Sequence, residues 1–539
     1  MSTMTSARYV LDPAETTCVP CAQARLREAD DFQLRSASSS RRQVAADSHP
    51  FLALFVSAFR EAIAEGEDYL AIDRHDLSVH RGDIVHEPHC IHAPRPDAAP
   101  SAQPGGYRPR AVESYFGEGR RISDLSNPVS GMLSAVVTED VASLVTAKVS
   151  GFTVRHGVHG EYIRAWGGHC DSYARSLRVG LIEGIERVCC ASPDPALVIC
   201  EVPVDARTIE PADFGLAPAL WRIPNPVITQ WSIGTDLVTG QRAALPTRCV
   251  FYEAQISDPV YVQDSSNGCA AGGSADEAQL FGLLEVIERD AFLLAWYADL
   301  PLREIDPATV ADAESRAYLQ RLRLLGRTVR FLDATVGIGI PSVIAVCDTA
   351  SGGLCFGAGS HPDPERALRS ALVEVASDFS VVEEHLRQRR PELDAMLADP
   401  SLVRAVEDHA DVYGHPQSRD WLTGWATEGE AVDRVALHEL RRHDRAGLCV
   451  AEDLRLVVEA VGDAGFAPIA VDVSSSLSRR HDVSCVKVVV PGLLPLDFGW
   501  SQQRALHMPR LLDRAGEWLS DHAVYAGPAH IHPHPHPFP

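Results

Sequence analysis

Between about residue 115 and residue 520, short apolar runs alternate with longer stretches in which apolar positions recur every three or four residues. Runs such as ALVICEV and VKVVV read as strands and the amphipathic stretches as helices, so the expected class is α/β, of the α+β type, with mixed sheets and flanking helices. The best-specified helix lies in SNGCAAGGSADEAQLFGLLEVIERDAFLLAWYA, residues 266 to 298, where a Gly and Ala-rich turn leads to Ser274 as N-cap with Glu277 three residues on. A second helix is expected over SYARSLRVGLIEGIERVCC, residues 172 to 190. LIEGIERV (181 to 188) and LLEVIERD (283 to 290) share the pattern Leu-x-Glu-x-Ile-Glu-Arg. Either the two helices are related and face one site, or a common helix pattern has recurred by chance.

Composition divides the chain further. Residues 1 to 105 form a small N-terminal domain with CVPC near its start and a His, Pro and Cys cluster near its end. The stretch APRPDAAPSAQPGG (93 to 106) reads as flexible chain, and the linker is placed at 106 to 114. The large domain runs from 115 to 520, and a Pro and His-rich tail from 521 to 539.

With 539 residues, 45% of them hydrophobic, the chain can bury a large core. Its formal charge of -24 opposes attraction to phosphate backbones and anionic lipid, which sets aside nucleic acid and membrane as partners. The start, MSTMTSARYVLD, has no basic segment leading into an apolar one, and no run approaches the length of a membrane span. Thirteen scattered cysteines, an odd number that includes adjacent Cys189 and Cys190, argue against a disulfide framework. A reducing cytoplasm is the expected location.

The chemistry concentrates on the two helices. Glu277, Glu285 and Glu288 fall in a stripe about 80° wide, flanked by Leu280, Phe281, Leu284, Ile287 and Ala291. Glu183 and Glu186 stand at i and i+3 on the other helix, with Arg187 beside them. Carboxylates among apolar residues need partners, and hard Mg²⁺ bridging acids to nucleotide phosphates is one. The competing account makes Glu277 only a capping acid and Glu-x-x-Glu-Arg a solvated helix face.

The run SNGCAAGGSADEAQLFGLLEVIERDA is very similar to the signature of the YcaO family. GGHCDSYARSLRVGLIEGIER resembles that family's first nucleotide motif, and VPGLLPLDFGWSQQRALHMPRLL (490 to 512) resembles the closing segment of its thiazole/oxazole-forming branch. The resemblance covers roughly residues 115 to 539 and implies a YcaO-like domain around an ATP site. It assigns ATP and Mg²⁺ to Glu183, Glu186, Arg187, Glu277, Glu285, Glu288 and Arg289. Departures from the family pattern fall at His169, Val179 and Gly273, and at Ser377 and Phe379 after the helical Glu374.

Proline at every second position from Pro533 to Pro539 favours a stiff, extended end that cannot be helical. The resemblance implies that this end enters the active site, with Pro535, Pro537 and Pro539 as catalytic-site residues. Cys18, Cys21 and Cys90, completed by His92 or His89, would make a structural Zn²⁺ site. Their surroundings resemble the zinc-binding end of ThiF-like partner proteins, with Ala93 where a fourth ligand is usual.

The implied reaction is ATP-dependent cyclodehydration of Cys, Ser or Thr in a ribosomally made precursor peptide to azolines. The implied partners are that peptide, a separate ThiF-like leader-binding protein, an FMN-dependent azoline dehydrogenase and a second copy of this chain in a homodimer. Rival readings are a YcaO enzyme making thioamides or macrocyclic amidines, a non-catalytic YcaO scaffold, and a structural metalloprotein.

Overall fold

The structure, a computed structural model, describes residues 4–5, 9–13, 18–26, 69–73, 78–82, 84, 90, 109–116, 122–127, 129, 131–133, 136–157, 160–191, 193, 197–215, 227–252, 256–263, 265–300, 302–422, 434–442, 446–512 and 531–538. Among these residues the strands form four sheets. An antiparallel sheet of Met4–Thr5, Tyr9–Pro13, Tyr69–Asp73 and Val79–Gly82, in that order, belongs to the N-terminal zone. Ala147–Gly157 and Gly160–Cys170 make a long hairpin with Thr138–Glu139 on its edge.

The other two sheets build the body. One has the order Cys269–Gly272, Ser484–Val489, Ile469–Asp472, Trp231–Asp236, Arg242–Pro246, Arg207–Thr208, antiparallel except at the last pair. The second has the order Leu354–Ser360, Ser342–Asp348, Val329–Asp333, Arg303–Asp306, Arg434–Ala436, again with only the last pair parallel. Mixed sheets with flanking helices are the class the sequence pattern predicts. VKVVV does lie mostly in a strand, whereas ALVICEV gives one isolated bridge, Ile199 to Trp231. Pro193, Pro195 and Pro203 around that run remove backbone donors a ladder would need.

Three helices carry the site: α1 (Tyr173–Ala191), α2 (Ala275–Tyr297) and α3 (Pro364–Ala398). α1 packs on the hairpin and on Cys269–Gly272, α2 on Cys269–Gly272 and Ser484–Val489, and α3 on Leu354–Ser360 and Ser342–Asp348. Glycines allow these approaches. A Cβ at Gly168 would sit 1.9 Å from Ser176 O at the start of α1. Gly268 has φ +76°, and a Cβ there would lie 2.0 Å from Val488 O.

Ser274 caps α2, its side chain accepting from Glu277 N at 3.2 Å. The Glu277 carboxylate turns back to Gly273 N (2.8 Å) and takes Arg110 N (3.0 Å) as well. Residues 109 to 114, expected as linker, are therefore pinned: the Arg110 guanidinium also donates to Asp482 O and lies over the Tyr115 ring. The Pro-rich stretch 93 to 106 lies outside the described residues.

At its C-terminal end α2 buries Phe292, Trp296 and Tyr297 in a core that also holds Phe538 from the chain's end. Burying one such aromatic contributes about 1.5–3 kcal/mol, so the tail is an integral packing element.

Candidate active site

On α1, Glu183 accepts from Gly167 N at 2.8 Å and from Arg187 Nε at 2.9 Å. On α2, Arg289 lies 3.7 Å from Glu285 and 3.6 Å from Glu288, close enough for attraction but beyond hydrogen bonding. On α3, Glu374 accepts from Ala358 N at 2.9 Å.

These carboxyls act on one another. Burial pushes Glu186 well above the usual carboxylate range, and Cys269, Glu183 and Glu285 add to the effect against Arg187. Burial also raises Glu285, opposed by Arg289, Lys487 and Arg187. Glu288 is pushed up to about 7 by burial, with Arg289 opposing and Glu285 adding. Glu374 is pushed up to about 8 by burial and then by Glu288. Five acids thus form a chain from α1 through α2 to α3, and Arg187, Arg289 and Lys487 do not hold them all ionised.

Several polar atoms at the same place are buried with no hydrogen-bond partner among the described residues: Arg289 Nε and Nη1, His169 Nδ1 and the Tyr252 hydroxyl. Clustered orphan groups beside surplus carboxyls fit a ligand that brings both cations and acceptor oxygens. Mg²⁺ with a nucleotide polyphosphate has that composition.

The structure brings together Glu183, Glu186, Arg187, Glu285, Glu288 and Arg289. Glu277 stands about 12 Å along α2 from Glu285 and is occupied by backbone N–H groups. Glu374 and Lys487 join the site without having been counted among its ligands. The signal for Lys487 was one charged residue inside VKVVV; it is 4% exposed and donates to Ser265 O at 2.8 Å. His169 pairs across the hairpin with Lys148, and burial holds its imidazole below the usual histidine range. Ser377 bonds back to Val373 O, and Phe379 lies under Arg327.

The tail runs along the C-terminal half of α2. Trp296 Nε1 donates to His534 O (3.2 Å), Tyr413 O–H to Pro535 O (2.5 Å) and His409 Nδ1 to His536 O (2.9 Å). Trp421 stacks on His534 and His409 on His536, with ring centroids 4.6 and 4.1 Å apart. Pro535 and Pro537 are buried, and the Phe538 ring covers the Arg289 guanidinium at 4.0 Å. Pro539 lies outside the described residues. In the N-terminal zone the sulfurs of Cys18, Cys21 and Cys90 lie within 4.8 Å of one another, and burial beside the other two thiols raises Cys21. His89, His92 and Ala93 lie outside the described residues.

Fold and site define a mixed α/β protein in which buried carboxyls converge from three helices under a docked C-terminus. A family model described as YcaO cyclodehydratase, ATP- and Mg²⁺-binding, matches residues 167–494, more than half the chain. The chain belongs to the YcaO family. A protein in the tfuA 3′ region of Rhizobium leguminosarum bv. trifolii is 34% identical over 158 residues, which cover 27% of this chain and 38% of the relative. A protein of Methanothermobacter thermautotrophicus is 27% identical over 271 residues, covering 49% of this chain and 65% of the relative. The chain therefore spans less than two thirds of either relative. Among solved structures, a heterocyclase in complex with substrate and cofactor superposes with TM-score 0.70 at 19% identity, over 98% of this chain and 76% of that one. The heterocyclase TruD gives 0.55 at 20% identity, over 99% and 75%. At these identities the likeness establishes fold. No helix among the described residues is long and apolar enough to cross a membrane.

Proposed function

We propose that the chain is an ATP- and Mg²⁺-dependent peptide cyclodehydratase, closing Cys, Ser or Thr onto the preceding amide of a precursor peptide to give thiazolines or oxazolines. The observation that carries this reading is the convergence of Glu183, Glu186, Glu285, Glu288 and Glu374, with burial holding four of them above their usual range. The acids hold divalent cations, while Arg187 and Arg289 direct positive charge to phosphate oxygens. Mg-ATP, when bound, supplies the phosphoryl group that makes the amide oxygen a leaving group, one ATP giving ADP and phosphate per ring. Phe538 closes the face of Arg289 against water, and the rest of the docked tail fixes Phe538. The heterocyclase seen with substrate and cofactor supports this assignment by its fold.

The test is incubation with the candidate precursor peptide, its ThiF-like delivery protein and ATP, read by mass spectrometry for the loss of one water mass per ring. A non-catalytic scaffold, favoured by Ser377 and Phe379 in the third motif, releases no phosphate in response to peptide. The ring chemistry rests on a separate ThiF-like protein to deliver the peptide, on an FMN-dependent dehydrogenase where oxidised rings are made, and on a homodimer as the working assembly.

Tyr252 offers a check on the ligand site. Its hydroxyl is buried without a hydrogen-bond partner among the described residues, and Cys269, Arg187, Cys190 and Glu186 are the groups that act on it. Tyr252→Phe should leave the ligand-free protein as stable as wild type or slightly more so, since it deletes an unsatisfied group. Mg-ATP affinity, measured by calorimetry, should fall about fivefold, equivalent to about 1 kcal/mol.

The three thiols are assigned to structural zinc, with His92 or His89 completing the tetrahedron. Elemental analysis of the purified protein should find stoichiometric zinc, and Cys90→Ser should lower both zinc content and melting temperature. Protein that is pure, active and zinc-free would remove the assignment.

A further inference from the structure

A cavity of about 90 Å³ shares Arg289 with the carboxyl site. Phe214, Phe251 and Val262 line it, together with the turn that follows Ser484–Val489, and Lys487 and Arg289 supply its charge. It is smaller than the cavity of about 150 Å³ that accepts benzene, a size that suits a small side chain.

The rim is already fixed. Gln263 donates to Phe498 O and accepts from Phe498 N, and Asn267 donates to Leu496 O. Of the cations around the cavity, Arg504 is paired with Asp497, and Arg248 donates to Ile256 O and Asp258 O. Lys487 is different. Buried among valines, it has three N–H donors and, among the described residues, one acceptor, Ser265 O. Arg289 keeps Nε and Nη1 without a hydrogen bond among the described residues. Two cations with donors to spare therefore meet in a space of one small residue, beside Glu285, on whose carboxyl both act.

We infer that this cavity seats the reacting residue of the peptide, with Lys487 donating to the oxygen of the amide under attack and Arg289, shared with the carboxyl site, facing the phosphate which that oxygen takes; the inference rests on the cyclodehydratase reading. As the side-chain sulfur or oxygen bonds to the carbonyl carbon, the C=O π pair moves to the amide oxygen and the nucleophile's proton leaves to water. Charge grows on that oxygen, where the fixed Lys487 ammonium stabilises it most. Phe214, Phe251 and Val262 enclose the small side chain.

Cys249 lines the same cavity as a half-buried thiol outside any disulfide, 4.0 Å from the Tyr261 hydroxyl, and reports on its occupancy. The probe is a capped Ala-Gly-Ser-Gly peptide, and the readout is iodoacetamide alkylation of Cys249, followed by peptide mapping on the full chain. At a probe concentration about four times its dissociation constant, alkylation should slow about fivefold. Exposed Cys200 should be unaffected. Lys487→Met should abolish the protection, whereas Lys487→Arg, which keeps the charge and the donors, should retain most of it. Val262→Phe, which fills the space without touching a charge, should slow alkylation with or without probe and prevent ring formation; it decides the matter should Lys487→Met fail to fold. Absence of protection in the wild type, protection that persists in Lys487→Met, or equal shielding by Mg-ATP alone would each overturn the inference. A wild-type protein that binds the probe beside Cys249 yet makes no rings on the precursor peptide with its ThiF-like delivery protein and ATP present would instead sink the cyclodehydratase reading.

Discussion

Glu285→Gln should remove Mg-ATP binding while leaving the ligand-free protein folded. The exchange keeps shape and volume and deletes a carboxylate whose charged form burial disfavours, so the apo protein should stay folded. Wild-type protein with Mg-ATP at about 100 times its dissociation constant should gain about 2.7 kcal/mol, read as a higher melting temperature. The variant should show no gain, and peptide-dependent phosphate release should cease. A variant that binds Mg-ATP as wild type does would refute the carboxyl site.

The same acids predict how the wild type responds to pH. Glu288 and Glu374 are raised to about 7 and about 8, so the folded protein holds protons that the unfolded chain has released. Stability from these groups is full below their unfolded value of 4.5 and is lost as pH rises towards 8. Divalent cations need the deprotonated forms, so the stabilisation given by Mg-ATP should grow over that interval. Thermal melts of the apo and ligated protein between pH 6 and pH 8.5 should diverge as pH rises.

Much of this site was legible because helices write their faces in fixed spacing. Glu183 with Glu186, and Glu285 with Glu288, recur at i and i+3, and that repeat is what places them opposite one another. Glu277 shares the stripe by angle, but angle carries no information about depth along the helix, and its first-turn position leaves it to backbone N–H groups. Lys487 and Glu374 were harder to read, because their roles come from neighbours distant in sequence: Glu374 is raised by Glu288, and Lys487 acts on Glu285. ALVICEV misled for a local reason, since apolar content without backbone donors at its ends does not make a strand.

Ending the chain at residue 530 should cut ring formation by at least about 100-fold, the scale of misplacing a reacting group, while Mg-ATP still binds. The truncation uncovers Phe292 and Trp296 and leaves Arg289 open to water, but touches none of the acids. Equal loss of nucleotide binding, or undiminished ring formation, would show that the tail does not order the peptide side of the site. Acid should release the tail without truncation. Burial holds His409 and His534 down at about 4 and His536 well below the usual histidine range. Groups held below their unfolded value of 6.5 give stability that is present above it and lost as pH falls towards 4. His409 shows the cause: Nδ1 donates to His536 O while Nε2 accepts from Gly499 N, so a second ring proton would face an N–H donor. Trp421 and Trp296 lie against His534 and His532, so their fluorescence should change between pH 6.5 and pH 4 in the full chain and not in the truncated one. The carboxyls respond in the opposite direction, favouring the fold as pH falls. Truncation should therefore shrink the acid-side loss of stability to what buried body histidines such as His169 and His361 carry, and leave the alkaline-side loss in place.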